Sequence, residues 1–351
     1  ICSVPGDKSI AHRAVIFGSL ANGQVTVNDF PMGQDNNSTL EMFRALGVKI
    51  ESAQKPGEKV LELKIHGKGF GALREPSKII DAGNSGTTMR LGLGVLAGLP
   101  FHTKITGDSS LVARPMRRVI QPLRQMGAIL EAAKDDNFAP IAVHGDKTKG
   151  KLNGVFFQSP VSSAQVKSAV LIAGLHASGS TTVHEPLKSR DHTERLLEFM
   201  GVPVEMAGES VTVRGGSQIQ AKDIRIIGDF SSAAFFLVGA LIVPGSEVRI
   251  EGVGVNPTRT GLLEVLKQMG ASFQLTNMRI VCGEPVADIV ARSSSLIGVD
   301  VVPELVPRLI DEIPILAIAA SVAKGVTKVI RAEELRVKET DRIQAVVSQL
   351  Q

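Results

Sequence analysis

Two kinds of helical segment alternate along this chain, and each kind returns at a regular interval. In the first, an amphipathic helix runs into a glycine and then a strand: residues 39–48 with Gly47, 120–128 with Gly127, 195–202 with Gly201 and 261–271 with Gly270. Apolar residues recur there at helical spacing, and each glycine stands where a left-handed C-cap stops a helix. The stop glycines lie roughly 70 to 80 residues apart, the signature of a repeat-built architecture.

The second kind runs between them. Residues 9–21, 85–97, 163–176, 231–243 and 311–323 are predicted as small, apolar helices, opening on Ser9, Ser85, Ser163, Ser231 and Asp311 as N-caps. Each ends near a glycine followed by a strand, at 25–27, 101–106, 180–183, 247–250 and 326–330; further short strands are expected at 61–65, 211–213, 224–227 and 279–282. Helices that are apolar nearly all round belong in an interior, so the pattern predicts an α/β fold of repeated units with buried helices and outer sheets. The next stop glycine falls due just past Gln351, so the helix at 341–351 is expected to be cut inside a fifth repeat.

Composition narrows the partners. Aromatic residues make up only 4% of the 351 residues, with no Trp or Tyr, which argues against base-stacking recognition of nucleic acid. The net charge of +4 is carried by scattered Lys and Arg rather than tracts, a balance that suits small anionic ligands. Cys2 and Cys282 are far apart and have no further ligand at metal spacing, so neither a disulfide framework nor a metal site is expected. The opening Ile1-Cys2-Ser3-Val4-Pro5 reads as neither signal nor transit peptide, and the absent Met points to trimming at the front. The longest apolar stretches, such as 233–243, are too short to cross a bilayer. A cytoplasmic, monomeric protein with no nucleic-acid or membrane partner is expected.

Candidate chemistry gathers at the starts of the apolar helices. A helix N-terminus offers unpaired N–H groups and partial positive charge, which suit phosphate and carboxylate. Around these starts stand Pro5-Gly6-Asp7-Lys8-Ser9 with Arg13, Gly83 to Arg90, Ser162 to Lys167, Gly228 to Ser232, and Asp311-Glu312-Ile313-Pro314. One Ser-rich cap is commonly only a cap; small polar and basic residues at equivalent points of successive repeats point to a cleft between two bodies that holds a polyanion. Two segments add cations. Residues 107–116 form a loop leading to a helix with Pro115 as its first helical residue, and Arg114 there is placed to clamp a carboxylate. Residues 336–342 pack alternating charge at a helix start, which reads equally as a solvated, salt-bridged face.

These motifs together resemble the 5-enolpyruvylshikimate-3-phosphate synthases, along essentially the whole chain. The wording Ser163-Ala164-Gln165-Val166-Lys167-Ser168 and Ser189-Arg190-Asp191-His192-Thr193-Glu194 is similar to the second bacterial class of that family. The resemblance implies a two-domain inside-out α/β barrel: residues 8–227 as a complete domain of three repeat units, and 1–7 with 228–351 as a second, C-terminally incomplete one. The chain would cross a hinge near Gly6-Asp7 and Gly228-Asp229, and the domains would close on shikimate-3-phosphate before phosphoenolpyruvate binds. The implied reaction uses no metal or cofactor.

The resemblance also implies roles. Ser9 and Arg13 would take the shikimate carboxylate, Ser163 with Arg190 its phosphate, and Gln165 the ring. Lys8, Gly86, Arg114 and Arg342 fall at phosphoenolpyruvate-binding positions, and Lys338 with Asp311 at the reacting hydroxyl. The hydroxyl must lose a proton while the methylene of phosphoenolpyruvate gains one, which assigns Asp311, Glu339 and Lys8 to catalysis. Gly86 matches the position whose size governs access of glyphosate. A further arginine and lysine of the family lie beyond the end of this chain, so a catalytically impaired ligand-binding fragment is one alternative. The other is the sister transferase acting on UDP-N-acetylglucosamine, whose active loop carries a cysteine before the Arg-Pro pair; residues 108–113 have none.

Overall fold

Each of the four predicted stop glycines closes its helix with the same two hydrogen bonds. In the computed structural model, which describes residues 1–54, 60–145 and 152–351, Gly47, Gly127, Gly201 and Gly270 have φ of 87°, 98°, 81° and 86°. At the first, Val48 N–H reaches Phe43 O at 3.0 Å and Gly47 N–H reaches Arg44 O at 3.0 Å. The same pair recurs as Ala128 to Leu123 with Gly127 to Arg124, Val202 to Leu197 with Gly201 to Glu198, and Ala271 to Leu266 with Gly270 to Lys267. This is the Schellman arrangement, with an apolar residue after the glycine to pack against the helix it ends. An L side chain is strained at such φ values, which is why glycine recurs.

The chain divides into two compact units, Lys8–Ile226 and Ile1–Asp7 with Ile227–Gln351. In the first, three four-stranded sheets share one topology. One holds Ile80–Asp81, His102–Thr106, Phe138–His144 and Leu130–Ala132 in that spatial order, with the first pair parallel and the rest antiparallel. Phe156–Gln158, Ser180–His184, Ser210–Arg214 and Val204–Ala207 repeat it. So do Ile224–Arg225, Asn22–Pro31, Val60–Lys68 and Lys49–Gln54, where the lead strand comes from the far end of the unit. Three helices fill the interior: Lys8–Leu20, buried at every residue from Ile10 on, Gly86–Leu96, and Ala164–His176.

The second unit repeats the topology once, with Cys2–Ser3, Glu247–Gly254, Glu284–Arg292 and Ser272–Val281, and adds the parallel pair Asp300–Val301 and Lys328–Val329. Where the chain passes from one unit to the other, its two crossings run side by side: Asp7 N–H donates to Ile227 O at 2.7 Å and Asp229 N–H to Pro5 O at 2.9 Å.

Several expectations need correction. Phe230–Ile242 and Ile313–Ser321 are apolar but not enclosed: Phe235 and Phe236 are exposed, and only Leu316 and Ala319 of the second helix are buried. In the other unit each interior helix is surrounded by two more and by sheets; these two pack on one another and keep a bare face. Three predicted caps are displaced. The first helix already starts at Lys8, Asp229 rather than Ser231 caps its helix, and Glu312 rather than Asp311 precedes Ile313, with no side-chain cap. Pro115 opens no helix: Asp108 caps a short Ser109–Val112 turn, and the longer helix starts at Arg117. Residues 336–342 are not one helix start, since a 3-10 turn, Glu333–Val337, precedes the Arg342–Leu350 helix. The strands expected at 224–227 and 326–330 shrink to two residues each. The strand expected after Gly47 is Lys49–Gln54, whereas those at Phe138–His144 and Glu284–Arg292 lie outside the expected set. None of the described helices is long and apolar enough to cross a membrane.

Candidate active site

Hydrogen bonds tie together the first two turns of the three interior helices of the Lys8–Ile226 unit. Arg13, almost fully buried, donates through Nη2 to Ser168 Oγ at 2.8 Å, through Nε to Thr193 Oγ1 at 2.7 Å and through Nη1 to Ser9 O at 2.9 Å. That links the first helix to the third. Arg90 Nη1 donates to Gln165 Oε1 at 2.6 Å, and Gln165 Nε2 to Thr87 Oγ1 at 2.9 Å, linking second to third. The Gln34–Ala45 helix joins first to second: His12 Nδ1 and Thr88 Oγ1 each lie 2.7 Å from Thr39 Oγ1. Lys8 Nζ lies 3.0 Å from Asp35 Oδ2, and Asp35 O accepts from Thr88 Oγ1 at 3.3 Å. Helix N-termini fixed in one place, with Arg13 and Arg90 among them, concentrate positive potential where an anion is favoured.

Gly86 lies beside two guanidinium groups. A Cβ there would come 2.9 Å from Arg90 Nη1 and 3.5 Å from Arg114 Nη1. Alanine at this position therefore displaces Arg90 and disturbs its bond to Gln165. Arg114 is itself held, Nη2 to Asn84 Oδ1 at 2.7 Å and to Ser110 Oγ at 3.1 Å, with Nη1 to Asn84 O at 3.3 Å. Asp108 accepts from Asn84 Nδ2 at 2.7 Å and from Leu111 N–H at 2.8 Å, and these two bonds, that of Asn84 first, hold its carboxyl below the usual range. Ser163 caps its helix through Val166 N–H at 3.4 Å, while its own N–H donates to Glu185 Oε1 at 2.9 Å. Arg190 is half-buried in the segment before the His192–Phe199 helix.

The remaining predicted residues belong to the other unit. Arg342 gathers two of them: Nη1 donates to Asp311 Oδ1 at 2.8 Å, Nη2 to Glu339 Oε1 at 2.8 Å and Nε to the same oxygen at 3.0 Å. Lys338 faces Glu334 at 3.5 Å, and Arg336 pairs with Asp341 at 2.8 Å. The salt-bridged reading of 336–342 thus holds for the outer pairs, while Arg342 brings Asp311 and Glu339 to a common point.

Behind Asp311 lies a charged cluster that sequence reasoning missed. Buried Arg259 donates to Glu312 Oε1 at 2.7 Å and to the Ser231 hydroxyl, with Asp229 Oδ1 at 3.7 Å. Burial acts to lower the Arg259 pKa, but Glu312, Asp311, Asp7 and Asp229 outweigh it and keep the guanidinium charged. Burial, then the Asp7 carboxylate, pushes the Asp229 carboxyl up to about 6 against the pull of Arg259. A carboxyl raised in the folded state binds its proton more tightly there. It therefore favours folding at acid pH, and that contribution is lost as pH rises from 3.8 through about 6. Asp229→Asn keeps the cap and removes the charge. Its urea midpoint relative to the parent is expected to be higher at about pH 7.5 than at about pH 4.5; an equal gap at both would refute the charge argument.

In the sequence Lys167 stands only as part of a basic motif. It is 1% exposed, with Glu185 Oε2 at 2.9 Å and Glu194 Oε1 at 2.8 Å. A lysine inside an otherwise apolar helix is a readable sign of a buried counter-charge, but which carboxylates supply it depends on tertiary contacts. Arg90, Thr87, Ser168 and Thr193 were likewise in the motifs without a role assigned.

A profile of the family described as EPSP synthase (3-phosphoshikimate 1-carboxyvinyltransferase) matches residues 1–351. The chain is 52% identical over 347 residues to a protein of Brevibacillus brevis named 3-phosphoshikimate 1-carboxyvinyltransferase, spanning 99% of this chain and 79% of that one. It is 53% identical over 348 residues to the protein of that name from Citrifermentans bemidjiense, with the same two shares. Among solved structures, EPSP synthase from Acinetobacter baumannii superposes with a TM-score of 0.86 at 46% identity, covering 99% of this chain and 76% of that one. The enolpyruvyl transferase NikO from Streptomyces tendae, at 15% identity, shares the fold with a TM-score of 0.70 over 93% of this chain and 74% of its own. With its repeated α/β units, its helix starts bound into one cationic cluster and these relatives, the chain belongs to the EPSP synthase family.

Proposed function

We propose that this protein transfers the enolpyruvyl group of phosphoenolpyruvate to the 5-hydroxyl of shikimate-3-phosphate and releases inorganic phosphate, a cytoplasmic step toward the aromatic amino acids. The observation that carries the reading is the hydrogen-bonded cluster at the starts of the three interior helices, which presents Arg13, Arg90 and helix N-termini together. Two phosphorylated acids need such a concentration of fixed positive charge.

Roles follow from the chemistry. Ser163 and Arg190 are assigned to the shikimate phosphate, Gln165 to the ring, and Ser9 with Arg13 to the carboxylate. Three of the Arg13 donors are engaged within the protein, which fixes the plane it presents. Lys8, Gly86, Arg114 and Arg342 are assigned to phosphoenolpyruvate, and Asp311 with Lys338 to the reacting hydroxyl. The hydroxyl oxygen, losing its proton to Asp311, bonds to C2 of phosphoenolpyruvate while C3 gains a proton from the acid–base set of Lys8 and Glu339. In the resulting tetrahedral adduct C3 then gives up a proton, the double bond re-forms and the C–O bond to phosphate breaks. The sequence is redox-neutral and asks only for proton carriers and anion-holding groups.

A phosphate-release assay tests it. Release is expected only with shikimate-3-phosphate and phosphoenolpyruvate together, and not when UDP-N-acetylglucosamine replaces the shikimate compound. Release with the nucleotide sugar instead would overturn the assignment.

A further inference from the structure

One buried carboxylate links the two segments to which the shikimate phosphate has just been assigned. Glu185 is 1% exposed and follows the Ser180–His184 strand. Its Oε1 accepts the N–H of Ser163 at 2.9 Å. Its Oε2 accepts the N–H of Ser189 at 3.2 Å and the Ser189 hydroxyl at 2.8 Å, and lies 2.9 Å from Lys167 Nζ. Lys167 also donates to Ser189 O at 3.4 Å and pairs with Glu194 at 2.8 Å. A second tie runs alongside: the Ser162 hydroxyl donates to Leu187 O at 2.6 Å and accepts Leu187 N–H at 3.1 Å. The helix start at Ser163 and the turn ending at Ser189-Arg190 are thereby fixed to each other through the protein interior.

Taking the phosphate assignment of Ser163 and Arg190 as its basis, we propose that Glu185, charge-compensated by Lys167, is the positioning residue of the phosphate subsite. It does not touch the ligand. It takes up the Ser163 N–H and both Ser189 donors, and so fixes which groups remain on the ligand side and how far Ser163 stands from Arg190. A bare carboxylate behind a phosphate site would repel the ligand's dianion; the Lys167 ammonium at 2.9 Å, shared with Glu194, offsets part of that field while leaving the acceptor geometry intact. Affinity for a phosphorylated ligand should therefore depend on Glu185 far more than affinity for its unphosphorylated parent.

The test compares calorimetric binding of shikimate-3-phosphate and of shikimate to the protein and its variants, with turnover measured in parallel. Glu185→Gln keeps size and one acceptor, and leaves Lys167 paired with Glu194. It is expected to weaken shikimate-3-phosphate about tenfold, the scale of one well-placed hydrogen bond, with shikimate changed less than about twofold. KM for shikimate-3-phosphate should rise while kcat holds. Ser189→Ala, which removes one donor and no charge, should shift the same ratio by about threefold and serves if the first variant fails to fold. Equal weakening of both ligands, or none, overturns the proposal. Arg190→Ala separates the underlying reading: if it leaves the ratio of the two affinities unchanged, the phosphate assignment itself is wrong. If it collapses the ratio and the Glu185 and Ser189 variants do not, only the positioning role fails.

Discussion

Asp311→Ala is expected to lower kcat by about 10²- to 10⁴-fold, the range a positioned general base contributes, with little loss of stability. The reading proposed above puts the group in the chemistry, while its share in the fold is one of several: buried Arg259 keeps Glu312, Asp7 and Asp229 beside it when Asp311 is gone. Its side chain is 28% exposed, it caps no helix, and its partner Arg342 keeps Glu339 at 2.8 Å when it is gone. A pair as near the surface as this contributes about 1 kcal/mol to folding, so the melting curve should shift only slightly. Because the role proposed for the residue is on the proton of the bound hydroxyl, KM for either substrate should move far less than kcat. Near-normal turnover in this variant would remove Asp311 from the mechanism and leave Lys338 or Glu339 as the group to examine.

Lys167→Met is expected to have the largest effect on stability, about 3–5 kcal/mol in unfolding free energy. Removing the ammonium leaves the Glu185 and Glu194 carboxylates, with side chains 2% and 0% exposed, without the cation that both contact. In the parent, burial works to lower the Lys167 pKa, but the two carboxylates, Glu194 ahead of Glu185, raise it above 10.5. The sign follows: its stabilising contribution is complete below 10.5 and is lost only as pH climbs through the raised folded value. In the variant the carboxylates are uncompensated and must take up protons to be buried, so stability should instead improve as pH falls toward 5. Urea midpoints of the two proteins between about pH 5 and pH 7 check the acid recovery, and those of the parent above pH 10.5 check the loss of the Lys167 contribution. A loss below about 1 kcal/mol, or no acid recovery, would mean the charges are relieved in another way.

Features fixed by local chemistry were legible in the sequence. Gly47, Gly127, Gly201 and Gly270 could be read because a left-handed helix end needs glycine whatever surrounds it, and all four carry it with the same bonds. The helices at 85–97 and 163–176 were placed well, since Ser85 and Ser163 cap them through their own side chains. Caps chosen by tertiary context were not: Asp229 competes with Ser231 two residues on, and Glu312 precedes its helix, where Arg259 holds it. Burial was legible only where an enclosure exists. The sequence of residues 230–242 is more apolar than that of 164–176, yet Phe235 and Phe236 are exposed while Val170, Leu171 and Ile172 are not. In the site, motif residues were found but not their bonds. Nothing in the order of residues says that Arg13 meets Thr193, that Arg90 meets Gln165, or that Lys167 lies between Glu185 and Glu194. Those pairings exist only once three repeats have brought their helix starts to one place.

Carboxyvinyl transfer differs from every phosphatase or kinase reading in the bond that breaks. Phosphoenolpyruvate labelled with ¹⁸O in the oxygen bridging C2 and phosphorus, turned over with shikimate-3-phosphate and analysed by mass spectrometry, reports that bond. Cleavage between C2 and oxygen, which the account predicts, places all of the label in inorganic phosphate and leaves an unlabelled enol ether. Label retained on the three-carbon product would mean cleavage at phosphorus, and would contradict it.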